Sequence, residues 1–172
     1  MARDLKEVFF HLDGAWASFE LMSIRQREDY LKPFRVLRCK IDDQVDFQAP
    51  EALRSVTEAT VLIEIFGEEE LVAANGRGPV HAVDNAMRKI LEKHYPQLSE
   101  GKLEEFDVRL LHHGQAPEED ENGAGALVRV LAIFSDGADR WGTVGVAADI
   151  LQASVECIID GLEWKLRGEH KH

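Results

Sequence analysis

The chain has 172 residues with 32 acidic and 20 basic side chains, a formal charge of −12, 45% hydrophobic and 30% charged residues. That balance describes one soluble globular domain with a short extra segment, able to bury roughly 70% of its unfolded surface without disulfide or metal staples. So acidic a surface repels phosphate backbones and anionic lipid, which excludes nucleic acid and membrane as expected partners.

No apolar run approaches the ~18 residues needed to span a bilayer. The start, Met1 to Glu7, is not followed by the apolar stretch of a signal peptide. Cys39 and Cys157 are expected as buried free thiols. The expected location is cytoplasmic.

Residues 3–30 read as a helix, with Leu5, Val8, Phe9, Leu12, Trp16 and Phe19 recurring at spacings of three and four. Asp13-Gly14 is a point where it can divide, and Pro33 closes the segment. Phe34–Ile41 alternates as a strand, and the polar residues 42–55, with Pro50, read as a loop. Val56–Phe66 is rich in β-branched residues and predicts a strong strand. Gly67-Glu68 reads as a tight turn and Leu71–Ala74 as a shorter strand. Gly76-Arg77-Gly78-Pro79 then opens a helix, where the missing N–H of Pro79 does no harm in the first turn. Val83, Ala86, Met87, Ile90 and His94 line one face, and Pro96 ends the helix.

The second half repeats this plan. Phe106–Leu111 reads as a strand, residues 113–125 as an acidic loop with Pro117, and Ala126–Phe134 as a strong strand. Asp136-Gly137 marks a turn and Arg140–Val146 the partner strand. Asp149 is a good N-cap for a helix over Ile150–Leu166, with Ile150, Ser154, Cys157, Ile158, Gly161, Leu162 and Lys165 on one side. The segments Ala59–Phe66 and Ala126–Phe134 correspond, each followed by a strand, a glycine pair (Gly76/Gly78 and Gly142/Gly145) and an amphipathic helix. The expected fold is therefore α+β: two pseudo-symmetric β-β-β-α units whose antiparallel sheets are covered by helices, preceded by an N-terminal helical linker segment. Residues 1–33 form the linker subdomain and 34–172 the main domain.

Catalytic constellations are scarce. His112-His113 would point to opposite sides of a strand, and no four-ligand metal set accompanies it. The H-x-H tail at His170 and His172 reads as a solvated chain end. The acidic runs at 68–70 and 118–121 read as solvated turns, and no nucleophile elbow or Walker signature occurs. Asn75–Val80 does allow binding, because glycines let backbone approach a ligand and a helix N-terminus attracts a carboxylate or phosphate. A turn that merely needs glycine explains it equally well. Trp141–Val146 followed by Asp149–Ser154 holds the same place in the second repeat, and the symmetry suggests one composite pocket.

Gly76–Ala86 resembles the glycine-proline helix entry of the allosteric domain of 2-isopropylmalate synthases and their relatives. Phe106–Arg109 resembles the strand that follows, Arg140–Val146 with Asp149–Ser154 the second signature, and Ala17–Leu21 the helical segment that links catalytic barrel to regulatory domain. Arg140–Val146 and the ending Ile158–Lys165 look more like the citramalate synthase branch. The likeness runs from about residue 8 to 167.

The resemblance implies a regulatory and dimerisation domain. Members of the family join acetyl-CoA to a 2-keto acid in a divalent-metal-dependent reaction on a TIM barrel, and 172 residues cannot hold a ~250-residue barrel as well. No catalytic residue, metal or cofactor is then expected in this chain. The expected partners are a second copy in a homodimer, a branched-chain amino acid effector (isoleucine or leucine) and the catalytic barrel of the same or a neighbouring chain. Carried over by motif, Gly76, Gly78, Pro79, Val80 and Ala82 would shape one wall of the effector site. Gly145, Val146, Asp149, Ile150 and Ala153 would shape the other. Asp149 is open between two roles, partner of the effector's ammonium group and plain N-cap. The helix at 3–30 would be the link to the barrel, leaving Leu12, Trp16 and Phe19 partly exposed. A dimerisation module without ligand and a stand-alone enzyme are the competing readings.

Overall fold

A computed structural model describes residues 14–51, 55–111 and 127–167. Its elements are α1 (Trp16–Ile24), β1 (Arg35–Val45), β2 (Ser55–Ile65), β3 (Glu68–Gly76), α2 (Pro79–His94), a 3-10 turn (Pro96–Glu100), β4 (Lys102–Leu110), β5 (Val128–Ser135), β6 (Arg140–Ala147) and α3 (Ile150–Leu166). The two sheets are antiparallel, in the orders β1-β2-β3 and β4-β5-β6. The β-β-β-α order thus occurs twice, as the strand and helix periodicities require. The chain divides into two compact units: one holds β1 to α2, the other holds α1, β4 to β6 and α3 as far as Lys165.

In the first unit, β2 alternates strictly, so Thr57, Ala59, Val61, Ile63 and Ile65 are buried beneath α2. From the helix side come Val83, Ala86, Met87, Ile90 and Leu91. The registers Cys39↔Val61 and Val61↔Val72 align the three strands. Phe66 and Gly67 both have positive φ (51° and 83°) and form a two-residue turn, the kind whose twist matches a right-handed hairpin. The turn is therefore Phe66-Gly67, one residue earlier than expected. Pairing begins at once with Ile65↔Glu68, and β3 runs nine residues where four were expected. Residues 42–45 are strand and not loop: Asp43 pairs with Thr57, whose hydroxyl donates to its carboxylate at 2.5 Å, and Val45 pairs with Ser55. His94 leaves the buried face and meets Glu70 at the surface at 2.5 Å.

In the second unit the core gathers Ala17, Leu21, Val130, Ala132, Phe134, Trp141, Ala153, Cys157 and Trp164. Strand β4 begins at Lys102, earlier than expected, because the Lys102↔Ser135 pair extends the ladder. Ile150 does not share the buried side of α3, being 47% exposed; Ala153 takes that place. The expected helix over 3–30 falls partly outside the described residues. The described part is helical only to Ile24, because the side chains of Arg25 and Tyr30 turn back onto α3. His112, His113, the acidic run at 118–121 and the terminal His170 and His172 also lie outside the described residues.

Asp136 closes the β5–β6 turn. Its carboxylate accepts the N–H groups of Asp139 at 2.7 Å and Ala138 at 3.0 Å and pairs with Lys165. The Asp139 N–H, then Lys165, then the Ala138 N–H hold its pKa well below the usual carboxylate range. A depressed carboxylate stabilises the fold above its unfolded pKa of about 3.9 and loses that contribution as pH falls toward the folded value. Asp136→Asn is therefore expected to flatten the acid limb of the stability curve below pH ~4 and to leave the slope near neutrality unchanged. Urea titrations across that pH range check this.

Candidate functional site

The two helix entries are built alike. In the first unit β3 ends at Gly76 and α2 starts at Pro79. A Cβ on Gly76 would sit 2.7 Å from both the Ala82 Cα and the His81 carbonyl carbon, inside contact distance of backbone. In the second unit a Cβ on Gly145 would strike the Ala153 carbonyl, with its carbon 2.7 Å away. Ala82 and Ala153 are each the fourth residue of their helix and fully buried. The N–H of each closes the first helical hydrogen bond, to Gly78 and Asp149 respectively, at 3.0 Å. Glycine on the strand and alanine on the helix thus let the two backbones touch.

This contact gives Gly76, Ala82, Gly145 and Ala153 a packing role. The remaining candidates lie further out. Gly78 has extended backbone (φ 175°) and nothing within 4 Å of a built Cβ, so no steric rule demands glycine there. Pro79 and Val80 are half-buried, and no side chain caps α2. Its first turn instead places His81 Nδ1 as acceptor for the Arg77 N–H at 3.2 Å. An uncapped, positively polarised helix start suits a carboxylate. At the other entry Asp149 Oδ1 accepts the N–H groups of Leu151 at 2.6 Å and Gln152 at 3.1 Å, which is N-cap geometry. Val146 is half-buried, and Asp149 and Ile150 are exposed. The first five candidates belong to one unit and the second five to the other.

A second polar group was not foreseen. Ser18 lies on α1, Arg25 and Tyr30 follow it, and Asp160 and Glu163 lie on α3. The two carboxylates are 2% and 0% exposed. Arg25 donates through Nε to Glu163 at 2.8 Å and through Nη2 to Asp160 at 2.8 Å. Tyr30 donates to Glu163 at 2.9 Å, and Ser18 donates to Asp160 at 2.6 Å. Burial opposes the guanidinium charge, but the Glu163 hydrogen bond and the Asp160 and Glu163 charges outweigh it, so the Arg25 pKa rises. Burial, with the Glu163 charge and hydrogen bond, pushes the Tyr30 phenol well above its usual range. The available signal was the pair of acids inside the otherwise uncharged stretch Cys157–Trp164. Their partners lie 135 and 138 positions away, and nothing local marks them.

Among the described residues no group of three or more His, Cys, Asp or Glu could hold a metal ion. No described helix is long and apolar enough to cross a membrane.

The family model of the LeuA allosteric (dimerisation) domain matches residues 17–166. The (R)-citramalate synthase of Geobacter sulfurreducens is 38% identical over 164 residues, covering 95% of this chain and 29% of that protein. The (R)-citramalate synthase of Synechocystis sp. is 34% identical over 165 residues, covering 96% and 29% respectively. The 2-isopropylmalate synthase of Aquifex aeolicus is 29% identical over 176 residues, covering 94% and 31%. The chain spans less than a third of the length of these relatives.

Proposed function

The chain belongs to the LeuA allosteric (dimerisation) domain family, and from that premise we propose that it is the regulatory part of a citramalate synthase, or of a 2-isopropylmalate synthase, that binds a branched-chain amino acid. Isoleucine or leucine bound here would feed back on an acetyl-CoA-dependent reaction carried out, with its divalent metal, by a catalytic barrel outside these 172 residues. The chain would also hold two copies together as a homodimer. The higher identities to citramalate synthases favour isoleucine control.

The observation that supports this reading is the start of α2, where no side chain caps the helix and Gly78 leaves the space beside it open. The uncapped start of α2 supplies N–H groups for a carboxylate. Each unit by itself offers apolar surface for a branched side chain: half-buried Val80 in the first, half-buried Val146 and exposed Ile150 in the second. Asp149 supplies a negative charge for an ammonium group. Feedback needs an effector that binds one global state better than the other.

The use of Asp149 Oδ1 as an N-cap favours the second reading, a dimerisation module without ligand. Two substitutions separate them. Asp149→Ala removes the cap and is expected to cost about 1 kcal/mol in a urea melt. Asp149→Asn keeps the cap, since Asn and Asp rank alike there, but removes the charge. The effector reading expects Asp149→Asn to retain stability while the thermal shift given by millimolar isoleucine or leucine falls sharply. Wild-type chain with no shift from any branched-chain amino acid would favour the dimerisation module.

A further inference from the structure

Helix α1 is nine residues long, too short to persist alone in water. Its apolar anchor in the core is Ala17 and Leu21, with half-buried Ile24 packed against that core. Ala17 and Leu21 are buried with Ser18, while Trp16 and Phe19 are 42% and 48% exposed. Trp16 adds one edge contact to Trp164, ring centres 4.8 Å apart.

Beside that anchor, a polar set joins α1 and the segment after it to the rest of the unit. Strand β6 is an edge of its sheet. The Ser18 hydroxyl accepts the Val144 N–H of that edge at 3.0 Å and donates to Asp160. Arg25 spans Asp160 and Glu163, and Tyr30 adds its bond to Glu163. A buried ion pair gains little over its own dehydration, so groups that rehydrate on separation recover most of what they lose. An apolar seam of the same area has no such return, because water does not solvate it. The polar part of the attachment is therefore built from contacts whose making and breaking nearly balance.

We propose that α1 with the segment through Tyr30 is a detachable arm, latched to the β6 edge and to α3 by Ser18, Arg25 and Tyr30 on Asp160 and Glu163, which opens while the sheet beneath it stays folded. Opening takes the Ser18 hydroxyl from the Val144 N–H of the β6 edge and hydrates two carboxylates. The arm rests on packing alone and stands whether or not an amino acid binds. It supplies a moving part at the end of the unit where the chain enters it.

Native-state hydrogen exchange on the full chain tests this. The amides of Leu21 to Arg25 are expected to exchange at least ~100-fold faster than those of Val130 to Ile133 in β5, with little dependence on low denaturant, as a local opening requires. Ser18→Ala is expected to speed the α1 amides by about tenfold and leave β5 unchanged, because it strands the Val144 N–H only in the closed state. Made in a Tyr30→Phe background, so that no phenol loses its acceptor, the triple change Arg25→Met, Asp160→Leu and Glu163→Met, an apolar latch, is expected to slow the α1 amides by about tenfold or more. Exchange of α1 at the β5 rate, or Ser18→Ala moving both sets equally, would overturn the arm. If the triple variant does not fold, the wild-type comparison and Ser18→Ala decide the matter.

Discussion

Gly145→Ala is expected to destabilise the chain by about 3 kcal/mol or more, the upper end of what overpacking costs. The new methyl would strike the Ala153 carbonyl, a backbone group that no rotamer change can move. Relief requires the first turn of α3 to lift from β6, which breaks the burial of Ala153 and Cys157 together. Gly76→Ala is expected to behave alike, because its methyl meets the backbone of His81 and Ala82. Gly78→Ala is the control: its methyl meets nothing, and its change should stay within about 0.5 kcal/mol. Urea denaturation of the three variants checks the set. Equal small losses in all three would mean that the helix entries are loose and that the glycines are there for another reason.

The second large effect lies at the other end of α3. Phe134 is fully buried, its ring stacked at 5.9 Å on Trp141, and it lies against Gly161, whose carbonyl accepts the Trp141 indole N–H at 3.0 Å. Phe134→Ala is expected to cost about 3–5 kcal/mol through the cavity it leaves. A Cβ on Gly161 would stand 2.7 Å from the Phe134 Cδ2, so Gly161→Ala alone should destabilise by about 1–3 kcal/mol. In the Phe134→Ala background that ring is gone. There Gly161→Ala should reverse sign and stabilise by about 1 kcal/mol, since alanine suits a helix interior better than glycine. A double-mutant cycle measures the reversal, and additive losses would show that the ring and the glycine are not in contact.

Much of the fold was legible because periodicity reports which face is buried. Residues 57–65 carry a β-branched or small residue at every second position, and the strand ends within one residue of expectation. Pro79 and Asp149 marked two helix starts by their own chemistry. Strand length was less legible. Asp42 to Gln44 are polar and exposed, yet the ladder to β2 holds them extended. Polarity read as loop was in fact solvent exposure. The N-terminal helix is short for a similar reason: the pattern over Arg25 to Tyr30 carries no stop signal, and the turn is set by partners on α3.

At the helix entries, sequence singled out residues without separating their duties. Glycine and alanine serve close packing, which only the positions of two backbones reveal. Gly78, Val80 and Ile150 have no such duty, and their value lies in what they leave open. The buried carboxylates of α3 needed Arg25, far away in the chain, to make sense.

The proposed function turns on whether this domain recognises a branched-chain amino acid. Calorimetric titration of the folded chain with isoleucine, leucine, valine and alanine tests it most directly. The prediction is saturable heat at micromolar to millimolar concentration, about −4 to −8 kcal/mol of binding free energy, for isoleucine or leucine and markedly weaker heat for alanine. Absence of saturable binding for every one of them, in a chain that remains folded and dimeric, would contradict the claim and leave dimerisation as the function.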